Sequence, residues 1–195
     1  MPEKTMIRAR LDPRRPLVLD VRELGRRPGS MRPVQRAAPA PDGLGLELAR
    51  VVAGAELTLD LRMEAVVEGV LVSGTVTAPV TGECGRCLDP VTDEVTVELQ
   101  ELFAYLDSAT DTTADADEVR RLAGDHLDLE PAIRDAVVLG LPLSPLCRAD
   151  CRGLCATCGA RWDDLPVDHS HETIDPRWAA LTERFGASST ESQER

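Results

Sequence analysis

The chain has 195 residues, 43% of them hydrophobic but only five aromatic, and carries a formal net charge of −12. That length suits one domain, or one domain with a small added module, whose core must rest on Val, Leu and Ala. No run of about 18 apolar residues occurs, which excludes a spanning helix, and the Arg-rich start MPEKTMIRARLDPRR lacks the apolar segment of a secretory signal. The expected location is the cytoplasm, with no membrane partner.

The charge is unevenly spread. Residues 1–36 hold ten Lys/Arg against four Asp/Glu, and the remainder hold twelve against thirty, so a basic arm precedes an acidic body. Such a chain can touch a phosphate backbone with its arm or hold a basic protein with its body.

In chain order, residues 1–43 read as a basic N-terminal arm and loop. Leu17 to Leu19 is an apolar run fit for a strand, and Asp20 is an N-cap for a helical turn ending at Gly25. Residues 25–43 are rich in Pro and Gly and carry Arg26, Arg27, Arg32 and Arg36, which predicts an exposed loop and makes those four the candidate nucleic-acid contacts. Residues 44–106 read as antiparallel β. Leu57, Leu59 and Leu61 alternate with polar residues, as do Val70, Val72, Val76, Ala78 and Val80, and then Val95, Val97 and Leu99. Reversals fall at Glu68-Gly69 and at Cys84-x2-Cys87, where Gly82 and Gly85 ease the backbone.

Residues 107–125 form an acidic stretch without apolar periodicity, expected to be a mobile loop; His126 follows as a solvated residue. Residues 126–186 read as a helix plus a Cys-rich module. Pro131 suits a helix start, Ile133, Val137 and Leu141 form one stripe, and Pro142 and Pro145 deliver an extended chain to Cys147. A second short helix is expected after Asp175-Pro176, with Trp178, Leu181 and Phe185 on one side. Residues 187–195 read as a disordered tail. The fold class is therefore α+β: an antiparallel β-meander core, a few short helices and a C-terminal Cys/His metal-binding module.

All six cysteines fall in chelating arrangements: Cys84-x2-Cys87, then Cys147-x3-Cys151-x3-Cys155-x2-Cys158. His169 and His171 follow, two apart, so that in an extended segment both rings face one side. In a cytosolic protein such pairs indicate metal or redox chemistry rather than structural disulfides. Zinc takes four tetrahedral Cys and His ligands, commonly as two pairs, and eight ligands allow one or two structural Zn2+. The preferred partition joins Cys84 and Cys87 to Cys147 and Cys151, and Cys155 and Cys158 to His169 and His171. Two others stand beside it: a ribbon of Cys84, Cys87, Cys155 and Cys158, and a site closed by the four clustered cysteines alone. Four protein ligands leave no open position for a substrate. Neither C-x-x-C sits at a helix N-terminus in a βαβ setting, as a thiol oxidoreductase requires. No Ser/His/Asp set, P-loop or G-x-G-x-x-G turn is present, so no enzyme is expected.

These residues carry a resemblance. Cys84-x2-Cys87-Leu88-x-Pro90, the run from Leu141-Pro142-Leu143 through Cys147 and Cys151 to Gly153-Leu154-Cys155-x2-Cys158-Gly159, and Asp175-Pro176-Arg177-Trp178 together resemble the bacterial YceD family, the large ribosomal RNA subunit accumulation proteins. The Arg26-Arg27-Pro28-Gly29-Ser30 loop fits as well, and the likeness spans roughly residues 17–185. The resemblance implies a non-enzymatic factor for 23S ribosomal RNA accumulation and large-subunit biogenesis. Its partner would be ribosomal RNA or a pre-ribosomal large-subunit particle; the acidic body also suits a basic ribosomal protein as an optional partner. Members usually carry Cys-x-Cys where this chain has His169-Ser170-His171, and imidazole can replace thiolate at zinc. Two further readings stand beside it: a zinc-binding adaptor without a ribosomal role, and a C-x-x-C thiol redox protein.

Overall fold

A computed structural model describes residues 11–106, 108–110, 119–171 and 176–178. The chain divides into two compact units, Met1–Cys151 and Arg152–Arg195. The division falls inside the cysteine-rich stretch, between the second and third ligand pairs.

The first unit is built on a six-stranded sheet and a two-stranded one. Strands β2 (Met31–Pro39), β4 (Glu56–Ala65), β5 (Gly69–Glu83), β6 (Pro90–Ala104) and β7 (Arg120–Arg121) lie side by side in that order, and β3 (Ala49–Arg50) pairs with the far end of β5. All neighbours are antiparallel except β6 and β7. Strands β1 (Val18–Asp20) and β8 (His126–Asp128) form the small sheet. The helix α1 spans Glu130–Gly140, and a 3-10 turn spans Pro176–Trp178. The architecture is α+β with an antiparallel meander through β4, β5 and β6.

The core lies on one face of the long sheet. In β4, Leu57, Leu59, Leu61 and Met63 are buried while the residues between them meet solvent, because successive strand side chains point to opposite faces. Val70, Val72, Val76 and Val80 from β5, and Val97, Leu99 and Phe103 from β6, extend the layer. Ala132, Ile133 and Val137 of α1 join this core, as do Leu19 and Leu127 from the small sheet. Each such buried aliphatic side chain contributes about 1.5–3 kcal/mol. Gly140 ends α1 where a Cβ would lie 2.4 Å from Val97 Cγ1, so the helix approaches β6 closely only because that side chain is missing.

The structure corrects one element and adds another. Residues 31–39, expected within an exposed loop, form the edge strand β2, paired with β4 from Met31↔Glu64 to Pro39↔Glu56. The bonds Ala65 N→Ser30 O and Ala40 N→Ala55 O set the phase of this ladder, so that residues 32, 34, 36 and 38 bond β4 and the odd-numbered residues face outward. Pro33 and Pro39 therefore occupy positions where no N–H is needed, which is how an edge strand accepts proline. His126, expected to be merely solvated, pairs with Asp20 in the small sheet. Of the acidic stretch expected over residues 107–125, residues 107 and 111–118 lie outside the described residues, as do Leu181, Phe185 and the tail; Trp178 is exposed.

Candidate metal centres

The first group forms where the β5–β6 hairpin meets the chain leaving α1. Cys84 and Cys87 sit in the reversal, closed by Cys84 N→Asp89 O at 2.7 Å and Leu88 N→Cys84 O at 2.9 Å. Leu88 takes a left-handed φ of 62°, a conformation that among the described residues is otherwise held by glycine. Beyond Leu141, Pro142 and Pro145 carry the chain past this reversal, and Gly85 N donates to Pro145 O at 2.8 Å. A Cβ on Gly85 would meet Ser144 Oγ at 2.3 Å, so glycine permits the approach. The next turn, with Cys151 N→Arg148 O at 3.1 Å, brings Cys147 and Cys151 over the first pair. Arg86 fixes it by donating from Nη1 to Cys151 O at 2.8 Å.

Cys84 Sγ lies 3.8 Å from Cys151 Sγ, and Cys87 Sγ lies 3.6 Å from Cys147 Sγ. A disulfide would place the sulfurs about 2 Å apart. Four thiolates each about 2.3 Å from a tetrahedral zinc would lie about 3.8 Å from one another. The observed spacing fits the second arrangement. Cys84, Cys87 and Cys151 are buried and Cys147 is exposed. Burial pushes the Cys84 thiol up, but backbone N–H groups of Cys147, Arg86 and Cys87 outweigh it and hold the thiol at about 6. Cys87 receives a backbone N–H from Asp89 that favours the thiolate, yet burial and hydrogen bonding to Cys84, Cys147 and Cys151 push it up to about 12. Four close thiols thus cannot all ionise unaided, whereas a dication among them would reverse that balance.

The second group lies wholly in the second unit and repeats the same backbone device. Cys155 N→Ala160 O at 2.7 Å and Gly159 N→Cys155 O at 2.8 Å close the reversal, and Gly159 holds φ 71° where the first knuckle has Leu88. Leu154 bridges Arg161, and Trp162 N→Gly153 O extends the pairing. Backbone N–H groups of Cys158 and Thr157, then His169, hold the Cys155 thiol at about 6. Cys158 Sγ lies 3.6 Å from His169 Nε2, the separation a tetrahedral zinc gives one thiolate and one imidazole at about 2.3 and 2.0–2.1 Å. The His169 ring meets those of His171 and Trp162 edge-on, and Arg152 lies over Trp162.

In each group the four ligand atoms all lie within 4.8 Å of one another, so both can hold a metal ion. Cys84, Cys87, Cys147 and Cys151 come together, as do Cys155, Cys158, His169 and His171. The structure brings together the eight residues that the sequence offers as candidate ligands, and adds Arg86, whose bond to a distant carbonyl leaves no periodic signal.

The four candidate nucleic-acid arginines differ in the partners that hold them. Arg26 lies 4.5 Å over the Tyr105 ring, and Arg32 pairs with Glu23 at 2.7 Å. Arg36 shares a face of β2 with Arg32, and Arg27 lies in the turn before it. Among the described residues neither Arg27 nor Arg36 has an ion-pair partner.

Residues 72–183, which contain both groups, match the family model described as "Large ribosomal RNA subunit accumulation protein YceD". The chain belongs to the YceD family. Among its relatives, the uncharacterized protein Rv2926c of Mycobacterium tuberculosis is 54% identical over 174 residues, covering 89% of this chain and 84% of its own. The uncharacterized protein ML1660 of Mycobacterium leprae is 49% identical over 170 residues, 86% of this chain and 77% of its own. The uncharacterized protein YlbN of Bacillus subtilis is 26% identical over 123 residues, 63% and 67% of the two chains. No solved structure matches this YceD-family chain significantly. Among the described residues no helix is long and apolar enough to cross a membrane.

Proposed function

We propose that this YceD-family protein is a non-enzymatic ribosome biogenesis factor that promotes 23S ribosomal RNA accumulation and large-subunit assembly in the cytoplasm. The family match over residues 72–183 carries this reading. In it, Cys84, Cys87, Cys147 and Cys151 hold one zinc ion, and Cys155, Cys158, His169 and His171 hold another. Bound zinc would supply closed tetrahedral cross-links rather than a reactive position. Arg26, Arg27, Arg32 and Arg36 are the phosphate contacts.

An acidic body limits what those arginines can do alone. Non-specific affinity for nucleic acid grows with the number of phosphates neutralised, and a chain of net charge −12 gains little from bulk attraction. The protein should therefore associate with a protein-containing precursor particle more strongly than with bare RNA. Sucrose-gradient sedimentation of lysate at two salt concentrations tests this. Co-migration with large-subunit precursors, together with weak filter binding of naked 23S RNA, is expected. Absence from every ribosomal fraction would contradict the proposal.

A further inference from the structure

The long sheet has two lateral edges, and they differ. Edge β2 withholds donors at Pro33 and Pro39 and carries Arg32 and Arg36. At the opposite side β7 pairs only with Phe103 and Ala104. Along residues 92–100 of β6, no strand among the described residues pairs on the outer side. The bonds Tyr105 N→Glu68 O and Cys84 N→Asp89 O, at the two ends of the β5–β6 register, fix its phase: odd-numbered residues bond β5 and even-numbered ones face outward. Leu122 N→Ala104 O agrees, as does Glu94, whose N–H turns to Asp93 Oδ1. Thr92, Glu94, Thr96, Glu98 and Gln100 thus aim their main-chain groups and exposed side chains at solvent, with no proline among them.

We infer that this edge docks an extended peptide segment of alternating basic and apolar residues, which adds a strand beside β6. Main-chain bonding to an exposed edge gives such complexes affinity, and alternate side chains give specificity. On the solvent face the incoming side chains meet Glu94 and Glu98, which call for Arg or Lys. On the other face Val97 and Leu99 are already buried in the core, Val97 beside Gly140 of α1, so the incoming side chains run alongside half-buried Val95, which calls for apolar residues. Edge charges can also serve only to prevent self-association, and the two roles separate by experiment. The inference stands on the strand edge alone and is independent of any ribosomal role.

The probe is an acetylated, amidated decapeptide alternating arginine and valine, added to the full-length protein as purified with its metal. Amide exchange is followed by NMR, and affinity by calorimetry. Binding should protect the outward amides of Thr96, Glu98 and Gln100, while Val97 and Leu99 are protected already by β5. A peptide N-methylated at alternate residues should bind at least tenfold more weakly. Glu94→Lys with Glu98→Lys should weaken binding by a similar factor, and Glu98→Pro should abolish it while leaving the Val97 and Leu99 amides protected. Should the proline variant disturb those amides, the N-methylated comparison on the unaltered protein decides. Absent binding, protection at β2 instead, or equal affinity for the N-methylated peptide would each overturn the inference, the last showing attraction by charge alone.

Discussion

Leu88 shows how a single residue can oppose the fold that contains it. The two knuckles share one hydrogen-bond pattern, yet the left-handed position is Gly159 in one and Leu88 in the other, and Leu88 is 58% exposed. A left-handed conformation costs a side chain about 1–2 kcal/mol, and glycine gives part of that back in unfolded-state entropy. Leu88→Gly should therefore raise stability by about 1 kcal/mol, read as a higher urea midpoint with unchanged slope. A lowered midpoint would mean the leucine side chain packs to advantage. The ligands themselves were legible because thiols and imidazoles at x2, x3 and x1 spacing have few other uses. The pairing of distant pairs was legible only as alternatives, since nothing in the spacing says that Gly85 will meet Pro145 O.

Among the elements, those with long apolar alternation were readable and those defined by a partner were not. Strands β4, β5 and β6 declare themselves by period. Strand β2 reads as a loop because Pro33, Pro39 and its arginines mimic turn composition, and only the outward phase of the β4 ladder shows that those prolines are tolerated. Strands β1 and β8 are too short for a pattern and exist as a pair. Helix α1 was readable from Pro131 and the stripe through Ile133 and Val137. Its two faces should differ sharply. Ile133→Ala, fully buried, should cost about 3 kcal/mol, while Leu139→Ala, 86% exposed, should change stability by under about 0.5 kcal/mol. Denaturant midpoints of the two variants check this, and equal effects would put α1 in the wrong rotation.

At the scale of the molecule, the two units would depend on bound metal to different degrees. The first unit has an apolar core spanning four long strands and a helix, and its cysteines bring the β5–β6 reversal against the chain after α1. In the second unit, Cys155 is the one buried hydrophobic residue among those described, and a metal ion held by Cys155, Cys158, His169 and His171 would be the main cross-link of that described part. Cys155→Ser should halve the zinc content and leave amide protection of β4 and β5 intact; Cys84→Ser should also halve it but lower the denaturant midpoint of the first unit. Metal analysis with hydrogen exchange separates these, and loss of sheet protection in Cys155→Ser would contradict the division.

The proposed role of this YceD-family protein in supporting large-subunit RNA is measured most directly by the ratio of 23S to 16S ribosomal RNA after its depletion from its own cells. A selective fall in 23S is expected, restored by the intact gene and not by one encoding Cys84→Ser. An unchanged ratio at full depletion would contradict it.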